Sequence, residues 1–520
     1  MDEPSRKKRN AAPAERLSSV DEMLDLRRHA AAAPQRRAVV CGNQSLTYGE
    51  LEALANRIAA VLRDRGLQRG DHIAMHLANR PETLAVAWAA WRTGLYLTPL
   101  PTTASSSELH YLCQDCDAKL VFVDDGPHPK WLPAGVTPLS PSPALLAGVS
   151  PLPAEDEPPG ALMMYTSGTT GTPKGVFRPL LPADWRGTPP FAADLIALFG
   201  IGGSDVRYLS TAPLYHAAPL RTALAVTAGG GTVFVMERFD ARAALQLLQD
   251  QAITHSQWVP AMFQRLLSLP DERRARWQAP AHRSVIHGAA PCPAPLKRAM
   301  IEWWGPILLE YYSGSEGIGL TLIDSNEALL HPGSVGRARK GVLHIVDETG
   351  AELPPGRSGL VCFSGVSPFA YYKAPEKTVQ RTTLQGWQTF GDVGHVDADG
   401  FLYLTDRLDD MIISGGVNVY PQEIEAVLRE APGVWDCAVV GQADERFGER
   451  PVAFVVAARG TTLSLDALRC FCETRLGRTK QPVAFHLIDT LPRSPTGKLL
   501  RRQLRTRVIP PSHRRDQQGP

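Results

Sequence analysis

Tyr165-Thr166-Ser167-Gly168-Thr169-Thr170-Gly171-Thr172-Pro173-Lys174-Gly175 is the stretch that decides how this chain is read. It grows out of the apolar run Ala161–Tyr165, which reads as a buried strand. The glycines let backbone N–H groups turn toward an anion. The hydroxyls of Thr166, Ser167, Thr169 and Thr170 add donors, and Lys174 adds a positive charge. Such a segment is a cradle for a polyphosphate. The order GxxxxGK[ST] is missing, so it is not a Walker loop. A Gly/Ser/Thr linker shares the composition, but a linker rarely follows a buried strand and rarely ends in Pro-Lys-Gly.

Upstream, helix and strand patterns alternate. Thr47 and Glu50 form a capping box, after which Leu51, Leu54, Ile58 and Leu62 recur at helical spacing. A strand at His72–Leu77, a helix near Pro81–Thr93 and a strand at Leu120–Val123 follow, with a further helix near Ala241–Gln249 beyond the cradle. Alternation of this kind predicts layered α/β architecture with largely parallel sheets. Pro133–Pro159, rich in proline and small residues, reads as a surface connection. Cys113-Gln114-Asp115-Cys116 has the spacing of a metal knuckle or redox pair. No second pair follows it, so these read as structural thiols.

Downstream, composition changes near Asp406. A strand at Met411–Ile413 leads through Ser414-Gly415-Gly416 to a helix opening at Pro421, with Glu423 and Glu425 in its first turn. Strands near Trp435–Val440 and Pro451–Ala457, a helix at Leu465–Leu476 and a strand at Val483–Ile488 complete a small α+β body. The fold expected is therefore α/β: a large N-terminal domain of layered sheets and helices, plus a small mobile α+β C-terminal domain. A chain of 520 residues is long for one core, which suits that division. The net charge of +2 makes no case for a nucleic-acid partner, and no apolar run nears the ~20 residues of a membrane span. Neither end carries a recognised targeting signal, so the default expectation is a cytoplasmic protein.

The cradle and several later motifs, in order from about residue 45 to 505, resemble the acyl-adenylate-forming superfamily, and within it the AMP-forming acyl-CoA synthetases. The resemblance implies ATP, Mg²⁺ and coenzyme A as cofactors, and assigns roles to residues. Thr166, Ser167, Gly168, Thr169, Thr170, Gly171 and Lys174 would hold the phosphates. In Tyr312-Ser313-Gly314-Ser315-Glu316, Tyr312 would stack on adenine, Ser315 would bond a phosphate and Glu316 would help hold Mg²⁺. Gly391-Asp392 resembles a segment whose carboxylate takes the ribose hydroxyls, with Phe390 where the family usually has threonine. Gly288, Ala289 and Ala290 would line the adenine and acyl pocket. Arg407 would contact ribose or phosphate and Asp409 would be the hinge pivot. Ser414, Gly415 and Gly416 would line the pantetheine tunnel, and Lys498 in Pro495-Thr496-Gly497-Lys498 would meet both carboxylate and α-phosphate. The implied domains are a basic tail at 1–20, an adenylation domain at 21–406, a mobile domain at 407–507 and a loose tail at 508–520.

The acyl side is read from Ala212-Pro213-Leu214-Tyr215-His216-Ala217-Ala218-Pro219. Amino-acid-activating members of the superfamily carry an aspartate there for the α-amine. This chain has His216, so the acid expected is apolar and lacks that amine. Tyr215, His216, Ala217, Gly288 and Gly314 are the candidate substrate residues, with His216, Thr166, Glu316 and Lys498 as the catalytic set. The reaction implied is ATP-dependent activation of a carboxylic acid followed by transfer to coenzyme A. The alternative acceptor is the phosphopantetheine of a carrier protein. A homodimer and a carrier protein are the protein partners left open.

Overall fold

The computed structural model describes residues 25–142, 158–166, 173–185, 187–415, 417–494 and 499–508. The chain divides into two compact units. The first is Met1–Tyr165, Gly175–Trp258 and Leu266–Ile286; the second is Thr166–Lys174, Val259–Arg265 and His287–Pro520.

In the first unit, one sheet runs Thr137–Leu139, Ala118–Val123, His72–His76, Tyr96–Pro99, Ala161–Leu162, with every pairing parallel. A strand therefore lies inside the stretch read as a plain surface connection. Three residues of mixed polarity carry no period, and their strand state is imposed by the neighbouring Ala118–Val123. Parallel strands need crossovers, and the three inner strands are mostly buried, so His72–His76 and Ala118–Val123 read as largely apolar runs. Thr47 caps the helix Tyr48–Asp64 in the expected box, and Leu51, Leu54, Ile58 and Leu62 are its buried stripe. Further strands lie in the order Gln44–Thr47, Arg37–Cys41, Thr232–Val235, Arg207–Ser210, His255–Trp258, Ser284–His287. Cys113 and Cys116 are buried, and burial pushes the Cys116 thiol up to about 12, which suits packing and not redox work.

The second unit holds antiparallel sheets. Leu308–Tyr312 pairs with Leu320–Asp324, and that with Arg337–Lys340. A four-stranded meander runs Val342–Val346, Gly359–Ser364, Gln388–Val396, Leu402–Arg407. Beyond it, Val434–Asp444 and Gly448–Ala457 pair antiparallel, with Ala484–Leu487 parallel on the latter. Alternation splits these strands into two cores. Cys437, Val439, Ala453 and Val455 pack with Ile424, Leu428 and Leu468 of the helices Pro421–Arg429 and Leu465–Glu473. Ala438, Val440, Val452 and Phe454 pack on the other face with Leu491 and Leu504. Among the described residues, no helix is long and apolar enough to cross a membrane.

Candidate active site

The second unit contains most of the residues singled out for the nucleotide. Asp392 lies within the strand Gln388–Val396, directly opposite Arg407 on Leu402–Arg407. Cross-strand pairing thus sets Arg407 Nε 3.1 Å from Asp392 Oδ1. The strand Leu308–Tyr312 delivers Tyr312, whose hydroxyl donates to Asp392 Oδ2 at 2.6 Å. Burial and then the Asp392 charge hold the Tyr312 hydroxyl well above its usual pKa, so it stays a donor. Burial opposes the Arg407 charge, but Asp392, Asp410 and Glu316 outweigh it and raise its pKa. The carboxylate is nearly enclosed, at 7% exposure, and each oxygen already has one donor. A carboxylate offers about four acceptor sites, so each oxygen retains room for one more.

Phe390, in the family's threonine position, is buried edge-on to Tyr312 with ring centroids 5.5 Å apart. It also presses on Gly314, where an added Cβ would fall 2.5 Å from the Phe390 ring. The neighbouring Thr389 does the local hydrogen bonding: its hydroxyl accepts from Gly391 N–H at 2.8 Å and donates to the Val361 carbonyl at 2.7 Å. The corner is therefore aromatic where the family pattern is polar.

Gly314–Gly317 is a tight turn, closed by Gly317 N–H on the Gly314 carbonyl at 3.0 Å. It places Ser315 half-buried and Glu316 buried. Glu316 Oε1 accepts the Tyr371 hydroxyl at 2.9 Å, and the Lys174 ammonium lies 5.8 Å from the centre of the Tyr371 ring. Tyr371 thus joins the cradle's lysine to the acidic residue of the later motif. Sequence reading missed Tyr371. The available signal was the Tyr371-Tyr372 pair just before a proline-opened helix at Pro375. No cluster of three metal-ligating side chains occurs among the described residues. A magnesium ion with substrate phosphates needs only one or two protein carboxylates, and a single buried carboxylate such as Glu316 fits that. Thr166 and Lys174 are described at the cradle's ends; Ser167, Gly168, Thr169, Thr170 and Gly171 lie outside the described residues.

The loop Gly288-Ala289-Ala290 leaves its strand pressed against Tyr311. A Cβ on Gly288 would sit 2.6 Å from the Tyr311 carbonyl oxygen, so no side chain fits there. Ala289 holds φ at 66°, a left-handed conformation rare outside glycine. Strain of that kind is retained where surrounding structure over-determines it.

The acyl-side residues belong to the first unit. His216 precedes the helix Ala217–Ala228 and lies 4.4 Å from the Tyr215 ring, centre to centre. Asn79, unnoticed in the sequence, pins the loop: its amide donates to the Met236 carbonyl at 2.7 Å and accepts from Leu214 N–H at 2.8 Å. Burial pushes the His216 pKa down to about 4, so its imidazole is neutral at ordinary pH. Also in this unit, the Tyr165 hydroxyl donates to Asp115 at 2.5 Å, and the ring rests on Gly175.

Asp409 has its backbone in the short 3-10 turn Leu408–Asp410. Its side chain, Gly416 and Lys498 are outside the described residues. Ser414 is buried, and Gly415, at φ 58°, turns the chain between Ile412–Ser414 and Val417–Val419. Near the terminal motif, Arg493 bonds Asp436 at 2.7 Å.

The model for the AMP-binding enzyme family matches residues 26–373, and that for the AMP-binding enzyme C-terminal domain matches 423–498. A feruloyl-CoA synthase from Amycolatopsis sp is 34% identical over 92% of this chain and 97% of its own. The fatty acid–[acyl-carrier-protein] ligase ScoC of Streptomyces coeruleorubidus is 33% identical over 92% of this chain and 95% of its own. Among solved structures, o-succinylbenzoate CoA synthetase (MenE) from Bacillus subtilis, in complex with its acyl-adenylate intermediate, superposes with a TM-score of 0.79. It is 28% identical, covering 92% of this chain and 97% of that one.

Proposed function

The chain belongs to the AMP-binding enzyme family, and from that premise we propose that it is an ATP-dependent, AMP-forming acyl-CoA synthetase acting on an apolar acid without an α-amine. The observation that carries the nucleotide half is Asp392, enclosed, held by Tyr312 and Arg407, with two acceptor positions left for the ribose hydroxyls. For the acid, the support is that 212–219 contains no carboxylate and its half-buried His216 is neutral, so nothing there pairs an ammonium.

In the first step a carboxylate oxygen attacks the α-phosphorus of ATP and pyrophosphate leaves. Two anions meet, so fixed positive charge supplies most of the help. Lys498 is assigned to the meeting oxygens, and Thr166 through Lys174 to the outgoing pyrophosphate. Glu316 would hold magnesium, which when bound would supply further neutralisation of the phosphates. Tyr312 packs on the adenine side, Asp392 and Arg407 fix the ribose, and Gly288–Ala290 lets backbone approach the base and the acyl group. In the second step the small domain turns about Asp409 and brings Ser414–Gly416 to the adenylate. The thiol sulfur of coenzyme A attacks the acyl carbon, and AMP leaves. Both co-substrates are cytoplasmic metabolites, so the cytoplasm is the compartment proposed.

One observation favours a second acceptor: the relative named as a fatty acid–[acyl-carrier-protein] ligase. Pyrophosphate release over a panel of fatty, aryl and amino acids, each with coenzyme A or a phosphopantetheinylated carrier, tests both points. Thioester on coenzyme A from an apolar acid is the expected result. Turnover with amino acids alone overturns the substrate assignment.

A further inference from the structure

Asp406 is the penultimate residue of the strand Leu402–Arg407, with Val393 as its cross-strand partner. Its side chain turns away from the nucleotide corner and is 2% exposed. Oδ2 accepts the backbone N–H of Gln422 at 2.8 Å, and Oδ1 accepts the N–H of Arg407 at 2.7 Å. Gln422 opens the helix Pro421–Arg429. Pro421 at the first position has no N–H, so Gln422 carries the helix's first free donor. A carboxylate there satisfies the donor and faces the positive end of the helix dipole. The helix is built into the small α+β body through Ile424 and Leu428.

Four residues on, Asp410 is held from the opposite side. Arg501 Nε and Arg505 both reach it at 3.4 Å, from the helix Arg501–Arg505. Arg501 is in turn bonded to Glu425 and to the Val439 carbonyl. Asp410 is therefore fixed to the small body, whereas Asp406 is fixed to the meander sheet. Any turning of one against the other is confined to the residues between them, and the Asp406–Gln422 bond spans that interval.

We propose that Asp406 is a positioning residue, a latch that holds the small domain in one of its two working orientations and must release Gln422 each time the enzyme passes between adenylation and thiol transfer. This rests on the two-step reading above and adds to it the contact that sets the balance. The surroundings support the assignment. Burial pushes the Asp406 pKa up to about 6, with Arg501 pulling it down and Glu425 pushing it up. Tyr420, just before the helix, is a further ionisable group that feels its charge. Release exposes the carboxylate and returns it toward its usual, lower pKa. The latched state thus binds the extra proton and is favoured as pH falls through about 6.

The test compares wild type, Asp406→Ala and Asp406→Asn by two measurements. The first is the ratio of pyrophosphate release from ATP and acid to thioester formation from supplied adenylate and coenzyme A. A ratio on one sample cancels any difference in folded fraction. Loss of a capping bond is worth about fivefold in an equilibrium, so Asp406→Ala is expected to shift the ratio about fivefold. Asp406→Asn, which keeps an acceptor oxygen, should restore most of it and abolish the bend near pH 6. The second measurement is the rate of tryptic cleavage after Arg407, expected to rise in Asp406→Ala by a similar factor. An unchanged ratio in a folded Asp406→Ala overturns the latch, as does cleavage at the wild-type rate. If wild type forms no adenylate, the functional reading fails; the cleavage rates then still decide whether Asp406 restrains the turn.

Discussion

Replacing Asp392 with asparagine tests the nucleotide corner most directly. Asp392 accepts Tyr312 on one oxygen and Arg407 on the other, and the two sites left over match the two ribose hydroxyls. Hydrogen bonds to a charged group contribute about 1.5–3 kcal/mol each, so the pair together is worth about 3–6 kcal/mol. Asparagine keeps one acceptor oxygen and turns an NH₂ toward either Tyr312 or Arg407, both of which are donors. About half the ribose contribution is therefore lost, which corresponds to an increase in KM for ATP of roughly 10- to 150-fold. The kcat for adenylation should change less, because ribose is bound alike in ground and transition states.

Substrate analogues separate this account from general damage to the site. Pyrophosphate release is measured with ATP, 2′-deoxyATP and 3′-deoxyATP on wild type and Asp392→Asn. Wild type should lose efficiency with both analogues. In the variant, one deoxy analogue should perform as well as ATP, since its missing hydroxyl has no acceptor to lose. If Asp392→Asn discriminates against both analogues by the wild-type factors, the carboxylate does not hold the ribose and the reasoning fails.

Three further outcomes follow from the same structure. Lys498→Ala should cost ~10²–10³ in adenylate formation while leaving thioester formation from supplied adenylate near the wild-type rate; an equal fall in both, in folded protein, removes Lys498 from the first step. Tyr165→Phe deletes the donor to Asp115 beside the cradle, so KM for ATP is expected to rise about tenfold, and an unchanged KM means the strand end needs no such anchor. Burial holds His216 and His255 near 4 and His282 near 3, all below the ordinary value of 6.5. These groups contribute stability that is complete above pH 6.5 and is lost as pH falls toward 4, at about 2 kcal/mol each by pH 5. The melting temperature should be level from pH 8 to 7 and drop steeply from 6.5 to 5; a flat profile refutes the neutral burial.

What the sequence disclosed was local. The Thr47–Glu50 box, the Leu51–Leu62 stripe and the proline-opened helix at Pro421 each lie within a few residues of the signals that announce them, and each is present. The apolar run Ala161–Tyr165 is two short strands, Ala161–Leu162 and Met164–Thr166, because a run of hydrophobics marks burial without fixing where pairing changes. The functional motifs were legible for a different reason: Tyr312, Glu316, Asp392 and Arg407 stand in an order that a known family shares. What joins them was not legible. Tyr371 reaches Glu316 across 55 residues and Tyr312 reaches Asp392 across 80, and no period or local pattern records such distances. Asn79 holds the His216 loop from 135 residues away, and it too carries no mark in its neighbourhood.

The pairing of Asp392 with Arg407 also explains why the latch sits where it does. Consecutive residues on an extended strand point to opposite faces. Arg407 therefore reaches Asp392 on one face while Asp406 reaches the first free N–H of the helix Pro421–Arg429 on the other. The register Asp392↔Arg407 and Val393↔Asp406 ties both to the same strand, which is fixed along its length by the meander. The pivot proposed two residues further on would then turn the small body without disturbing Arg407. Moving the pivot upstream of Arg407 would carry the ribose contact away with every turn. Moving it beyond Asp410 would break the ties between Asp410 and the helix Arg501–Arg505 with every turn. On the proposed reading, the interval between Asp406 and Asp410 is where the chain would rotate while Arg407 stays on Asp392 and Asp410 stays with the helix Arg501–Arg505.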